Sequence, residues 1–129
     1  MFQDLTFYLS SAILGIMLFF SFVVAPVTFT SLNEENARRF IRKIFPFYYN
    51  VNLAISALIT LILFFIKSFK LDFFLIFSVT VLFALSNFVL MPLINKYKDT
   101  NQDKKFKFSH FISVVINFIQ IIILIIILI

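Results

Sequence analysis

The sequence predicts an all-α integral membrane protein: one four-helix bundle over residues 1–129, with a short amphipathic helix between its first and second spans. Three observations carry this reading. Of the 129 residues, 62% are hydrophobic and only 13% charged, with a mean hydropathy of +1.07; a soluble domain of this length needs more polar groups to cover its surface. Four stretches, roughly 5–30, 46–66, 72–94 and 109–129, carry no Lys, Arg, Asp or Glu in their interiors, and each reaches the ~20 apolar residues that a bilayer-crossing helix requires. None of them alternates as barrel strands do, so their backbone groups must be bonded within each segment.

The first span begins MFQDLT, with an acid and no base before a long apolar run. Pro26 follows directly on Ala25, the only small residue available for cleavage, so the span reads as a retained helix and not as a signal peptide. Gly15, the single glycine, shares a face with Ser11, Leu18 and Phe22, which is expected to pack closely on a neighbour. In the link that follows, Ser31 or Asn33 is placed to cap a helix, and Glu34 stands three residues after Ser31 as in a capping box. Ala37, Phe40, Ile41, Ile44 and Phe45 recur at helical spacing with Arg38, Arg39, Arg42 and Lys43 between them. Such a helix lies in the headgroup layer with those four cations against lipid phosphate, or serves only as a charged connector. Pro46 then suits the first turn of the second span. A hairpin at 67–71 leads to the third span, and a lysine-rich loop at 95–108 to the fourth. Pro26 and Pro92 each fall near a span end, where proline either stops the helix or bends it around a site.

Basic residues set the expected orientation. Arg38, Arg39, Arg42, Lys43, Lys96, Lys98, Lys104, Lys105 and Lys107 are nine of the eleven in the chain, leaving Lys67 and Lys70 for the other side. The positive-inside rule puts segments 31–45 and 95–108 in the cytoplasm and both termini outside. The net charge of +5 thus reads as topogenic and lipid-contacting. Split between two short membrane-bound links, it does not form a nucleic-acid surface.

The span interiors hold no acidic or basic side chain except His110, which argues against a proton-driven carrier and against an acid–base enzyme with paired carboxylates. Uncharged polar residues form stripes instead: Tyr49, Asn52, Ser56 and Thr60; Thr80, Ala84, Asn87 and Met91; and His110, Ser113, Asn117 and Gln120. Some of these are interhelical hydrogen-bonding groups, each worth about 0.6 kcal/mol. Since the last helix is unbroken Ile and Leu from Ile121 to Ile129, polarity is confined to the inner half, which suits a cytoplasm-facing pocket and not a pore. Asn52, Asn87, Asn95, His110, Ser113 and Asn117 are its candidate ligand-binding residues. In particular, Asn52, Asn87, His110 and Asn117 are expected to converge.

The strings Gly15-Ile-Met-Leu-Phe-Phe-Ser-Phe-Val-Val-Ala-Pro-Val-Thr-Phe, Phe45-Pro-Phe-Tyr-Tyr, Pro92-Leu-Ile-Asn-Lys-Tyr-Lys-Asp and His110-Phe-Ile-Ser-Val-Val-Ile-Asn-Phe-Ile-Gln resemble the transmembrane-protein-205-like family, whose bacterial members form domain-of-unknown-function family 4149. The resemblance spans nearly the whole chain and implies a four-helix membrane domain without an established activity. By matching position it singles out Pro26, Arg42, Pro46, Tyr48, Tyr49, Pro92, Asn95, His110, Ser113 and Asn117. Arg38 departs from the glycine frequent after Ala37 in that family.

Three function classes follow. The first is a protein that binds a small ligand or lipid headgroup in this pocket, or is transport-associated, with catalysis the less favoured activity. The second is a haem- or metal-handling protein, by loose similarity to the copper-resistance D and HemJ-type four-helix proteins. His110 would be its axial ligand, with Met91 or Lys96 the second. No other metal ligand set is present, and no cofactor is expected in the first class. The third is an assembly subunit packed on a membrane-protein partner or on a second copy of itself.

Overall fold

In a computed structural model describing all of residues 1–129, the chain forms four long helices and no strands. They are α1 (Phe2–Ser31), α2 (Glu34–Phe65), α3 (Leu71–Asp99) and α4 (Asp103–Leu128), each long and apolar enough to cross a membrane. Each helix packs on its chain neighbours and α4 closes back on α1, while the diagonal pairs stay apart, so the four form an up-down-up-down ring. Ile13, Met17, Ile59, Ile76, Val79, Phe83 and Leu124 fill its axis. Large apolar side chains cover the outside, as expected where the surrounding solvent is lipid.

The helices run past the expected span ends. The predicted amphipathic helix is not a separate interfacial element but the first three turns of α2, which continues straight through Pro46. The buried positions explain why: Ala37, Ile41, Tyr48, Asn52, Ser56, Ile59 and Leu63 follow one another by three, four or seven residues, a single stripe in one register. Pro46 therefore sits inside the helix and not in its first turn. It offers no N–H to the Arg42 carbonyl and its ring crowds that carbonyl, a cost the packed stripe outweighs. Asn33 is the cap, its side chain accepting from the Asn36 amide at 2.8 Å; the Ser31–Glu34 box does not form.

The lysine-rich loop likewise shrinks to Thr100–Gln102, because α3 and α4 project beyond the apolar spans as a helical hairpin. Lys98 lies over the Phe106 ring at 4.9 Å and Lys105 over the Tyr97 ring at 5.8 Å, so cation–π contacts hold the projecting turns together. Asn101 closes α3 at φ 57, with Gln102 N–H donating to the Tyr97 carbonyl at 2.9 Å. At the opposite end Lys67 does the same for α2 at φ 55, with Ser68 N–H on Leu63 at 2.9 Å.

Pro26 and Pro92 terminate nothing. Each follows a five-residue π turn, Phe20–Val24 in α1 and Ser86–Leu90 in α3. The amide before each proline reaches back five residues, Ala25 to the Phe20 carbonyl and Met91 to Ser86. The wider turn makes room for the proline ring, which would otherwise strike the carbonyl four residues back.

Gly15 departs from expectation. The inward face of α1 is Ser10, Ile13, Met17 and Phe20, Gly15 is exposed, and a Cβ there would meet nothing within 4 Å. Only helix propensity acts at this position, so Gly15→Ala is expected to stabilise the bundle by about 1 kcal/mol in reversible unfolding in mixed micelles. A loss would show a close contact at that face.

Candidate functional site

The site grows from the π turn of α1. Widening the helix turns Phe20 and Ser21 toward the bundle axis, where Phe20 stacks on Tyr48 with ring centroids 4.2 Å apart. The Tyr48 hydroxyl donates to Asn117 Oδ1 at 2.9 Å, and Asn117 Nδ2 donates to Ser21 Oγ at 3.0 Å. This chain ties α2, α4 and α1 at one level. Toward the C-terminal end of α4 the bundle is shut: Gln120 Nε2 donates to the Val79 carbonyl at 3.1 Å, and Thr60 and Thr80 hydroxyls pair at 3.2 Å.

On the other side of that level the ring opens. Beyond Phe20 the α1 backbone leaves α4 and packs on α2 alone, while α3 beyond Leu90 packs on α4 alone. Two helix pairs therefore splay at the basic end around a cavity of about 580 Å³. Tyr48, Ser21, Asn117 and Ser113 form its floor, Phe20, Phe45, Tyr49 and Met91 stand in its walls, and Glu34, Arg38, Arg42 and Lys98 form its rim.

One charged link joins the two pairs across the mouth. Arg42 Nη2 donates to Asp99 Oδ1 at 2.6 Å and to the Asn95 carbonyl at 3.3 Å, while Nη1 donates to Asp99 Oδ2 at 3.2 Å. These hydrogen bonds, with the Arg42 and Arg38 charges behind them, hold the Asp99 carboxyl below its ordinary range. Asp99 is depressed in the folded state. The clamp is therefore complete above the ordinary aspartate value of about 3.9 and is lost as pH falls through the lowered one. Spin labels at Glu35→Cys and Gln102→Cys are expected to hold a constant distance from pH 7 to pH 5 and to separate in stronger acid. Asp99→Asn should show the wider distance already at pH 7.

Of the six candidate ligand-binding residues, Asn95, His110, Ser113 and Asn117 line this cavity, together with Tyr48 and Tyr49. Asn52 and Asn87 do not, so the four-residue convergence fails for two of its members. Asn52 stands one turn past Tyr48, behind the floor that Tyr48 and Asn117 close; it is fully buried, and neither amide atom has a partner. Asn87 faces the α2–α3 seam, where its Nδ2 donates to Asn50 Oδ1 at 2.8 Å. Among the cations, Arg38 and Arg42 turn into the cavity rim. Arg39 pairs outward with Glu35 at 2.8 Å, and Lys43 is exposed and outside the lining. His110 and Met91 share the cavity, with the Phe106 ring stacked on His110 at 6.0 Å; Lys96 is not in the lining.

Ser21, Lys98 and Phe106 were not singled out by the sequence reading. A signal for Ser21 exists: Phe22-Val-Val-Ala-Pro26 and Phe88-Val-Leu-Met-Pro92 repeat one pattern at the two π turns. Five residues before each proline stands a polar side chain, Ser21 or Asn87, that bonds to another helix.

A ring of four membrane-length helices, shut across its middle and parted around a polar-floored cavity at the basic end, defines a small multi-pass membrane protein. The family model described as Domain of unknown function (DUF4149) matches residues 8–103, and the chain belongs to that family. The matched stretch takes in α1 to α3 and stops at the start of α4, before His110, Ser113 and Asn117. No curated protein and no solved structure matches the chain.

Proposed function

We propose that this protein binds a small ligand in the basic-end cavity and that its activity is binding or transport-associated, not catalytic. The observation that carries the reading is the parting of α1 from α4 beyond Phe20, which leaves a cavity of about 580 Å³ within the size range of small-molecule sites. Its floor bears hydroxyl and amide groups, its walls are aromatic, and its rim is cationic. A bundle that needed only packing would have closed there.

In this reading the basic end faces the cytoplasm of a bacterial inner membrane, since the nine-to-two distribution of bases favours that side. The match to DUF4149 supports the bacterial branch of the resemblance, and kinship with transmembrane-protein-205-like proteins is part of the same proposal. Cysteines at Gln102 and Ser68 are expected to label from opposite faces of the cell membrane, Gln102 only after permeabilisation. Labelling of Gln102 in intact cells would reverse the orientation.

Native mass spectrometry of protein released from mild detergent tests the binding itself. A bound species should accompany the wild type and be lost in Ser113→Trp, whose indole projects into the cavity over its polar floor. Bare protein throughout, or a species that Ser113→Trp retains, would contradict the reading. A haem reading has one observation in its favour, the shared cavity of His110 and Met91. It requires a Soret band in the purified protein that His110→Ala abolishes.

A further inference from the structure

We infer that the occupant of this cavity is an anionic phospholipid that enters sideways from the bilayer between α1 and α4. This rests on the cavity being a binding site and names the class of ligand that the site takes.

The gap between α1 and α4 faces lipid. Phe22 (61% exposed), Phe29 (61%) and Phe118 (52%) are each more than half exposed, yet all three line the cavity. A pocket reached only from water at the bundle end would not have walls that also stand on the outer, lipid-facing surface. The opening is deep as well. Phe22 lies eight residues before Thr30 and Phe118 nine after Ser109, which at helical rise puts both about 12 Å inside the apolar span. At that depth an acyl chain is the molecule that can lie across the gap at no cost in desolvation.

The other end of the ligand is set by the rim. Arg38, Arg42 and Lys98 stand against Glu34 alone in the cavity lining. Lys98 has no carboxylate within ion-pair distance and rests on the Phe106 ring. The Arg38–Glu34 pair at 3.1 Å is an exposed one, which holds little energy and is readily exchanged. A guanidinium fork and an ammonium side by side suit a phosphate diester. Between rim and gap, Tyr48, Ser113 and Asn117 offer hydrogen-bonding groups to headgroup hydroxyls, so a glycerol headgroup fits better than a choline. The lipid is thus held with its phosphate at Arg38 and Lys98, its headgroup toward the polar floor, and a chain leaving past Phe22 and Phe118.

The test uses the full chain in phosphatidylcholine nanodiscs carrying a small fraction of phosphatidylglycerol with a photoactivatable diazirine in its acyl chain. Adducts should concentrate on peptides containing Phe22 and Phe118, several-fold above those at Phe47 and Phe77 on the outer faces of α2 and α3. The same diazirine in phosphatidylcholine should lose the enrichment. Arg38→Gln with Lys98→Gln should abolish the enrichment, because two cations worth about 1 kcal/mol each near an anionic headgroup correspond to a roughly thirtyfold loss of affinity. Lys104→Gln with Lys105→Gln, which removes equal charge outside the cavity lining, should leave it intact. Even labelling of all four helices, or equal yields from the two headgroups, would overturn the lipid assignment.

A parallel arm separates this failure from that of the binding reading. Protein carrying Ser113→Cys is exposed to a water-soluble thiol reagent with and without glycerol 3-phosphate. Protection by glycerol phosphate together with even lipid labelling means that the cavity binds a soluble anion and the lipid inference is wrong. No protection and even labelling would remove both.

Discussion

Asn52→Leu is expected to stabilise the bundle by about 1–2 kcal/mol, although it alters a fully buried residue on the bundle axis. Both amide atoms of Asn52 are sealed from the surroundings without a hydrogen-bond partner. An unpaired buried polar group costs about 1–3 kcal/mol, and part of that cost persists when the separated helices lie in lipid, which lowers the expected gain. Leucine has the same branched shape and the same number of side-chain heavy atoms and carries no such penalty, although its two methyls are bulkier than the amide and take back part of the gain where Tyr48 and Ser56 are themselves buried. Reversible unfolding in mixed micelles measures the change. A destabilisation would mean that Asn52 meets a polar partner, such as an ordered water, in the assembled bundle.

The same substitution at Asn117 should act in the opposite direction, with a loss of about 2 kcal/mol. Asn117 spends both ends of its amide on other helices, accepting from Tyr48 and donating to Ser21. Interhelical bonds of this kind average about 0.6 kcal/mol and reach about 1.7, and Asn117→Leu breaks two while leaving the Tyr48 hydroxyl without its partner. Tyr48→Phe, which breaks one bond and strands one amide oxygen, should cost about half as much. The double variant should then cost less than the sum of the two, because both act on one chain of bonds. Additive losses would show that Tyr48 and Asn117 contribute separately and that the cavity floor is not a connected unit.

The contrast between these two asparagines also marks what the sequence could reveal. The four spans and their all-helical nature follow from hydrophobic runs that only a helix can satisfy in lipid, and the structure has all four. Polar stripes at helical spacing gave the correct faces of α2 and α4, since Asn52, Ser56 and Gln120 are all buried. Depth along a helix was legible too, because His110, Ser113 and Asn117 follow one another by whole turns toward a floor. Rotation about the axis was less so. The small-residue stripe through Gly15 points away from the bundle, since Gly15 lies two positions from both Ile13 and Met17, about 200° round the helix and so on the opposite face. Asn87 sits in a π turn, whose extra residue shifts the direction of every side chain around it, and hydropathy carries no record of that shift. Helix ends outside the membrane were misjudged for a different reason. The apolar run stops at the bilayer boundary, whereas α2, α3 and α4 continue through charged turns held by Glu34–Arg38 and Glu35–Arg39 pairs and by lysines over aromatic rings.

The bundle is parted at the basic end and shut past the level of Tyr48 and Asn117. The chain has no cysteine, so single cysteines report without background. In nanodiscs of phosphatidylcholine alone, which offer the cavity no anionic lipid, Ser113→Cys and Ala25→Cys are expected to react with a charged, water-soluble thiol reagent at rates near that of Gln102→Cys, while Gln120→Cys and Ser56→Cys stay unmodified. Ser113→Cys as inert as Gln120→Cys would mean that the cavity is closed, and modification at every position would mean a water path through the whole bundle; either result contradicts the structure described.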